Sequence, residues 1–168
     1  MRPGNCPGLR QIDALESNRR DALVIEARSG PKGVCCSFIV RMIVGSGIDL
    51  VEIGRIQHSL DRFGERFVNR IYTRAEQEYC LRKKASAESF AARFAAKEAA
   101  AKALGTGISR GVHWLEIEVV REPGGRPGVF FYGRAAEYAA RLGVLRAALS
   151  LTHTREMAMA SVVLESGV

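Results

Sequence analysis

Histidine, tryptophan and paired cysteines are what this chain has least of. Among 168 residues there are three His and one Trp, and the four cysteines, Cys6, Cys35, Cys36 and Cys80, contain no C-x-x-C. Adjacent Cys35 and Cys36 cannot make a zinc knuckle. A reduced, cytoplasmic setting is the simplest expectation. The apolar run Val34 to Val44 is interrupted by Arg41 and falls far short of the ~20 residues of a membrane span. It also lies too deep in the chain, with no A-x-A-like site before the next element, for a signal peptide. Aromatics make up 7% and sit mostly on apolar faces, so the stacking platform of a nucleic-acid-binding module is missing. No repeat or low-complexity tract is visible.

What is plentiful is positive charge. The formal net charge is +7 with a pI of about 9.6, on an ordinary globular background of 47% hydrophobic and 26% charged residues. That composition and length suit one domain with its own core. The charge draws the protein to something acidic, be it nucleic acid, an anionic membrane, a phosphorylated small molecule or an acidic protein.

The patterning begins late. Residues 1–41 carry three of the four cysteines and three of the five prolines, and hold no sustained period of 2 or 3.6. They are expected to be an N-terminal extension, loose or arising from a mis-assigned start, ahead of a domain over 42–168. From Met42, the run Met-Ile-Val-Gly-Ser-Gly-Ile-Asp-Leu-Val-Glu-Ile reads as a buried strand, a glycine turn and a helix entry. Ile53, Ile56, Leu60, Phe63 and Phe67 then mark the apolar face of a helix. Arg55, Arg62, Arg66 and Arg70 form a stripe about 80° wide on its other side, if the helix continues through Gly64. Between Arg55 and Lys84 eight cations face four anions, which makes either a solvated basic face or a docking surface. Thr73-Arg-Ala-Glu76 has the form of a capping box and starts another helix.

Downstream, 114–120 and 129–132 read as partner strands around a turn at 123–128. A helix over 135–142 closes at Gly143, and strands are expected over 144–153 and 157–164. The whole is an α+β domain with an antiparallel sheet and helices on one side.

The chemistry concentrates in Arg93-Phe-Ala-Ala-Lys-Glu-Ala-Ala-Ala-Lys-Ala-Leu-Gly-Thr-Gly107. Glu98 and Lys102 lie one helical turn apart on one face and Lys97 flanks them, while alanines let another backbone or a ligand come close. Glu98 before Lys102 is also the spacing of an ordinary surface pair. Asp49, after Gly-Ser-Gly-Ile, is a second oxygen donor or a plain N-cap. Two carboxylates with lysines alongside suit magnesium bound to a diphosphate better than an all-protein cage. His58 and His113 are expected to face solvent. His153, before Thr154, is placed to hold a phosphate, to act as a base or simply to be structural.

Four stretches, Gly47-Ile-Asp-Leu-Val-Glu-Ile53 with Arg55, Arg93-Phe-Ala-Ala-Lys-Glu-Ala99 with Lys102 and Gly105-Thr-Gly107, Gly125-Arg-Pro127, and Ser150-Leu-Thr-His-Thr154, together resemble the ordered motifs of bacterial holo-acyl-carrier-protein synthases, which are 4'-phosphopantetheinyl transferases. The resemblance runs from Met42 to about Leu164. It implies the 4'-phosphopantetheinyl transferase fold, assembled as a trimer with sites between subunits. It implies transfer of 4'-phosphopantetheine from coenzyme A to a serine of an acidic acyl carrier protein in fatty acid biosynthesis. On that resemblance Asp49 and Glu98 bind Mg2+, and with Lys102 form the catalytic set. Lys97, Lys102, Gly105, Thr106, Gly107, His153 and Thr154 would hold coenzyme A, and Arg55, Arg62 and Arg66 the carrier protein. The larger transferases that modify peptide and polyketide synthases resemble two fused copies of such a domain, and this chain has room for one.

Overall fold

The computed structural model describes residues 41–108, 111–122 and 124–167. The expected extension over 1–41 lies, apart from Arg41, outside the described residues. The described residues open with strand β1 (Arg41–Glu52), continue through helices α1 (Ile53–Phe63), α2 (Glu65–Ile71), α3 (Arg74–Leu81) and α4 (Ser86–Ala103), and reach a 3-10 turn at Trp114–Glu116. Strands β2 (Ile117–Arg121) and β3 (Pro127–Phe131), helix α5 (Gly133–Arg141) and strands β4 (Val144–His153) and β5 (Met157–Gly167) complete the fold. The expected single sheet is two antiparallel sheets, β1-β5-β4 and the ribbon β2-β3. No helix among the described residues is long and apolar enough to cross a membrane.

Helix α4 is the axle of the domain. Eleven of its 18 residues are buried, and it touches β1, β5, β4, β2, α1 and α3. Alanine makes this possible, since Ala91, Ala95, Ala96, Ala99, Ala100 and Ala101 are fully buried and keep neighbouring backbones close from several directions without costing helix propensity. Against it lie Ala158, Ala160, Val162 and Leu164, which alternate along β5 as buried residues, the period of 2 of a strand.

At Gly45 and Gly47 the structure departs from the sequence reading. No turn forms there; after a register shift between Ile43 and Gly45, β1 continues and stays paired with β5 from Gly45↔Leu164 to Asp49↔Ala160. The glycines serve close approach instead. A Cβ on Gly47 would fall on the Ala99 carbonyl oxygen, and one on Gly45 on that of Ala103. Asp49 is accordingly a mid-strand residue and not an N-cap, for the N-cap of α1 is Glu52.

The basic helix is also broken. Gly64 adopts φ 49°, which ends α1 and starts α2, so Arg55 and Arg62 share one helix while Arg66 and Arg70 sit on the next. The first residues of the expected strand over 114–120 wind into the 3-10 turn, with Leu115 exposed. The Thr73 capping box is present as expected, with Glu76 Oε2 accepting from Thr73 N at 2.8 Å. The face of the β1-β5-β4 sheet turned away from α4 carries Ile48 and Leu50, 55% and 57% exposed, beside half-buried Met159 and Val163. No helix among the described residues covers it.

Gly47→Ala is expected to cost about 3 kcal/mol, because backbone oxygen and not a flexible side chain stands in the way. Gly54, in the first turn of α1, has open space at its Cβ position, and Gly54→Ala is expected to be neutral or to stabilise by up to ~1 kcal/mol. Urea denaturation of the two variants checks this; equal midpoints would contradict the close approach.

Candidate active site

Asp49 and Glu98 are brought together by the glycine contact between β1 and α4. Asp49 alternates with Gly47 and Val51 on the strand face towards α4, and its side chain is 15% exposed. Lys102 Nζ donates to Asp49 Oδ1 at 2.7 Å and to the Ile48 carbonyl at 3.1 Å. Glu98 stands a turn before Lys102 and within electrostatic reach of Asp49. Burial pushes its carboxyl above the ordinary glutamate range, the Asp49 charge pushes it further, and Lys102 pulls it partly back. A carboxylate made costlier to ionise by burial and by an acidic neighbour marks a place for a cation. Among the described residues no cluster of three or more His, Cys, Asp or Glu is placed to hold a metal. The two carboxylates of Asp49 and Glu98 fit a hard divalent ion that completes its shell with waters and phosphate oxygens. A cavity of about 370 Å³ lined by Ser46, Gly47, Ile48, Lys102 and Ser161 opens beside it.

Lys97 requires a correction. Expected to hold coenzyme A, it is fully buried, with Nζ 2.8 Å from Glu76 Oε2 and donating to the main-chain oxygens of Trp114, at 2.9 Å, and Ile117. All three N–H groups are spent inside the protein, and a phosphate has no route to them. Burial pulls its pKa down, against the opposing pull of Glu76.

The glycine turn after α4 is committed too. Thr106 N donates to Ala101 O and Gly105 N to Lys102 O, with Gly105 at φ 74°, which is the Schellman arrangement of a helix end. Gly107 N and the Thr106 hydroxyl also go to Ala101 O. These groups satisfy a helix C-terminus, where the macrodipole is negative, and the expected donation to phosphate from Gly105, Thr106 and Gly107 is not what they do in the structure.

His153 is exposed at the end of β4, with Nδ1 3.9 Å from Glu88 Oε2. The Thr154 hydroxyl accepts from Glu156 N and Met157 N at 3.2 and 3.1 Å, closing the β4–β5 turn. By the strand register His153 sits opposite Ala158, which faces Val51, two residues along and two strands over from Asp49, or roughly 12 Å. Arg55 and Arg62 on α1 and Arg66 on α2 are exposed, and none forms an ion pair among the described residues.

A further cluster escaped the sequence. Arg93 is 5% exposed, its Nε has no hydrogen-bond partner, and its guanidinium lies 4.0 Å from the Tyr79 ring centroid. Lys83 and Arg121 stand 4.9 and 5.6 Å from the same ring. Burial raises the Tyr79 phenol, but Arg121, Lys83 and Arg93 outweigh it and lower its pKa. The convergence depends on β2 meeting α3 and α4, and spacing along the chain gives no sign of it.

Comparison with known proteins bears on this geometry. The profile of the 4'-phosphopantetheinyl transferase superfamily matches residues 45–160. The chain is 59% identical over 124 residues, 74% of its length, to the holo-[acyl-carrier-protein] synthase of Koribacter versatilis, 99% of which is covered. The crystal structure of the Neisseria meningitidis holo-[acyl-carrier-protein] synthase superposes with a TM-score of 0.67 at 37% identity, covering 74% of this chain and all of that one. That of the Helicobacter pylori synthase in complex with coenzyme A superposes at 0.62 and 31% identity, covering 71% and 98%.

Glu98 gives a stability prediction whose sign follows from its raised pKa. The folded state holds a proton on Glu98 more tightly than the unfolded chain, so stability declines as pH rises from the ordinary glutamate range through the folded-state value. Without metal, Glu98→Gln should melt at or above wild type at neutral pH, with the advantage growing across that window. Thermal denaturation from pH 4 to 8 measures it; a variant that melts well below wild type at pH 8 would contradict the arrangement.

Proposed function

The chain belongs to the 4'-phosphopantetheinyl transferase superfamily, and from that premise we propose that it is a holo-[acyl-carrier-protein] synthase of fatty acid biosynthesis. It moves 4'-phosphopantetheine from coenzyme A to a serine of apo acyl carrier protein and releases adenosine 3',5'-bisphosphate. The observation that carries the reading is the meeting of Asp49, Glu98 and Lys102 at the β1–α4 contact.

Asp49 and Glu98 are the residues that would hold Mg2+. Bound there, the ion supplies charge neutralisation at the coenzyme A diphosphate and orientation of its phosphorus for in-line attack. The rest of the chemistry falls to the chain's own groups. Lys102, which neutralises Asp49 in the structure, is half exposed and reaches phosphate oxygens at the same carboxylate. The seryl oxygen forms a bond to the phosphorus that carries pantetheine as the bond to the bridging oxygen breaks. The hydroxyl proton has an acceptor in the carboxylate pair or in a water held by it. Arg93, Lys83 and Arg121 around Tyr79 offer cations to the remaining phosphate of coenzyme A. His153 and Thr154, set apart from Asp49, suit the adenosine end or a neighbouring subunit's site.

Exposed Arg55, Arg62 and Arg66 steer and hold an acidic carrier through charge pairing that weakens with salt. The uncovered sheet face with Ile48 and Leu50 supports a trimer, since an apolar strip of this kind is what subunit packing covers. The cavity beside Lys102 is lined by the same face, so packing there puts a neighbouring subunit at the edge of the site.

Incubation with coenzyme A, Mg2+ and apo acyl carrier protein should raise the carrier's mass by one phosphopantetheine. Asp49→Ala and Glu98→Ala are each expected to lower transfer at least 100-fold with the fold retained. No mass increase with any carrier would overturn the reading. Sedimentation should give the mass of three chains for the wild type and one for Leu50→Glu; a wild-type monomer would remove the trimer.

A further inference from the structure

The buried pair Lys97–Glu76 has no part in the transfer as described, yet every N–H of its ammonium and both of its carboxylate oxygens are bonded. Lys97 places its three N–H groups on Glu76 Oε2 and on the carbonyls of Trp114 and Ile117. Glu76 also accepts from Thr73 N at 2.8 Å through Oε2 and from Val119 N at 2.9 Å through Oε1. One ammonium thereby ties α4 to the start of α3, to the 3-10 turn and to β2. Both side chains have zero exposure, and a buried charge holds only while each donor and acceptor keeps its geometry.

Lys97 and Glu98 are consecutive on α4, so their side chains leave the axis about 100° apart. One points into the network and the other towards Asp49. Phe90 against Tyr72 and Phe94 against Trp114 hold the helix one to two turns before Glu98, and Lys102 on Asp49 holds it one turn after. The alanines around Glu98 itself, Ala95, Ala96, Ala99 and Ala100, have no long side chain to set the rotation there, which leaves Lys97 as the nearest group that does. With its carboxylate roughly 6 Å from the axis, Glu98 moves about 1 Å for each 10° of roll, a displacement on the scale that costs an active site about 100-fold.

We propose that the Lys97–Glu76 pair sets the roll of α4 and thereby positions Glu98 opposite Asp49. Lys97 is a positioning residue: it acts through Glu98 and touches no substrate. The proposal rests on the reading that Asp49 and Glu98 share a cation, and its test separates the two.

The test uses the full-length double variant Lys97→Met/Glu76→Gln, which removes both charges and keeps similar volumes, and Glu76→Asp, which keeps both charges and shortens the carboxylate's reach, as the milder change should the double variant fail to fold. Mg2+ binding is measured by calorimetry with coenzyme A present and no carrier, so that turnover does not enter. The folded variant should bind Mg2+ at least tenfold more weakly, the size of effect expected when a ligand loses its outer support. Its KM for the carrier protein, which docks on α1 and α2, should stay within twofold of wild type. Mg2+ affinity within twofold of wild type in a folded variant would overturn the proposal. If wild type itself binds no Mg2+, the cation reading fails and the positioning is judged from the variant's crystal structure. A roll of α4 by about 10° or more supports it, and an unchanged roll sinks it.

Discussion

The contact between the bare backbone of β1 and the alanine face of α4 is the constraint from which the rest of this structure follows. Two glycines leave no side chain between strand and helix, and the carbonyls of Ala99 and Ala103 occupy the space where Cβ atoms would stand. Only at that separation does a short side chain such as Asp49 reach the helix face that carries Glu98 and Lys102. An ordinary side chain at either glycine would move the carboxylates apart before it changed any of the chemistry. Packing and function therefore depend on one contact, and the residues that make it have no chemistry of their own.

Around that contact the charges divide by depth. Lys97 and Lys102 both follow from the same alanine-rich helix, and five residues of spacing send them to opposite fates. Lys102 is half in solvent and bonded to Asp49, available to a ligand. Lys97 is sealed against Glu76 and serves the architecture. Glu98, next to Lys97 in sequence, sits between these regimes, partly buried and with its proton held more tightly than usual. On the function proposed above, a site that makes its own carboxylate costly to ionise is one that a divalent cation would stabilise.

Much of this was legible in the sequence, and what was not shares a cause. Helix α4, the Thr73 capping box and strands β4 and β5 follow from period, capping chemistry and turn residues, which are local. Asp49, Glu98 and Lys102 stand out because four motifs, each weak alone, occur in the order of one family, and the structure brings all three together. Gly45 and Gly47 read as a turn in the sequence because a glycine that admits a helix and a glycine that bends a chain look alike until the partner is known. The length of the arginine stripe turns on Gly64, which can either continue a helix or break it, and in the structure breaks it. Lys97 looked like a ligand for phosphate because sequence shows its charge and not its burial, and Arg93 with Tyr79 was invisible because its cations come from three elements.

The most direct test of the account is diffraction from crystals grown with coenzyme A and Mn2+, using the anomalous signal of manganese to locate the ion. The account predicts one peak ligated by Asp49 and Glu98 together with diphosphate oxygens, with Lys102 bonded to phosphate. A peak elsewhere, or a bound diphosphate with Glu98 turned away and Lys102 still on Asp49, would contradict it.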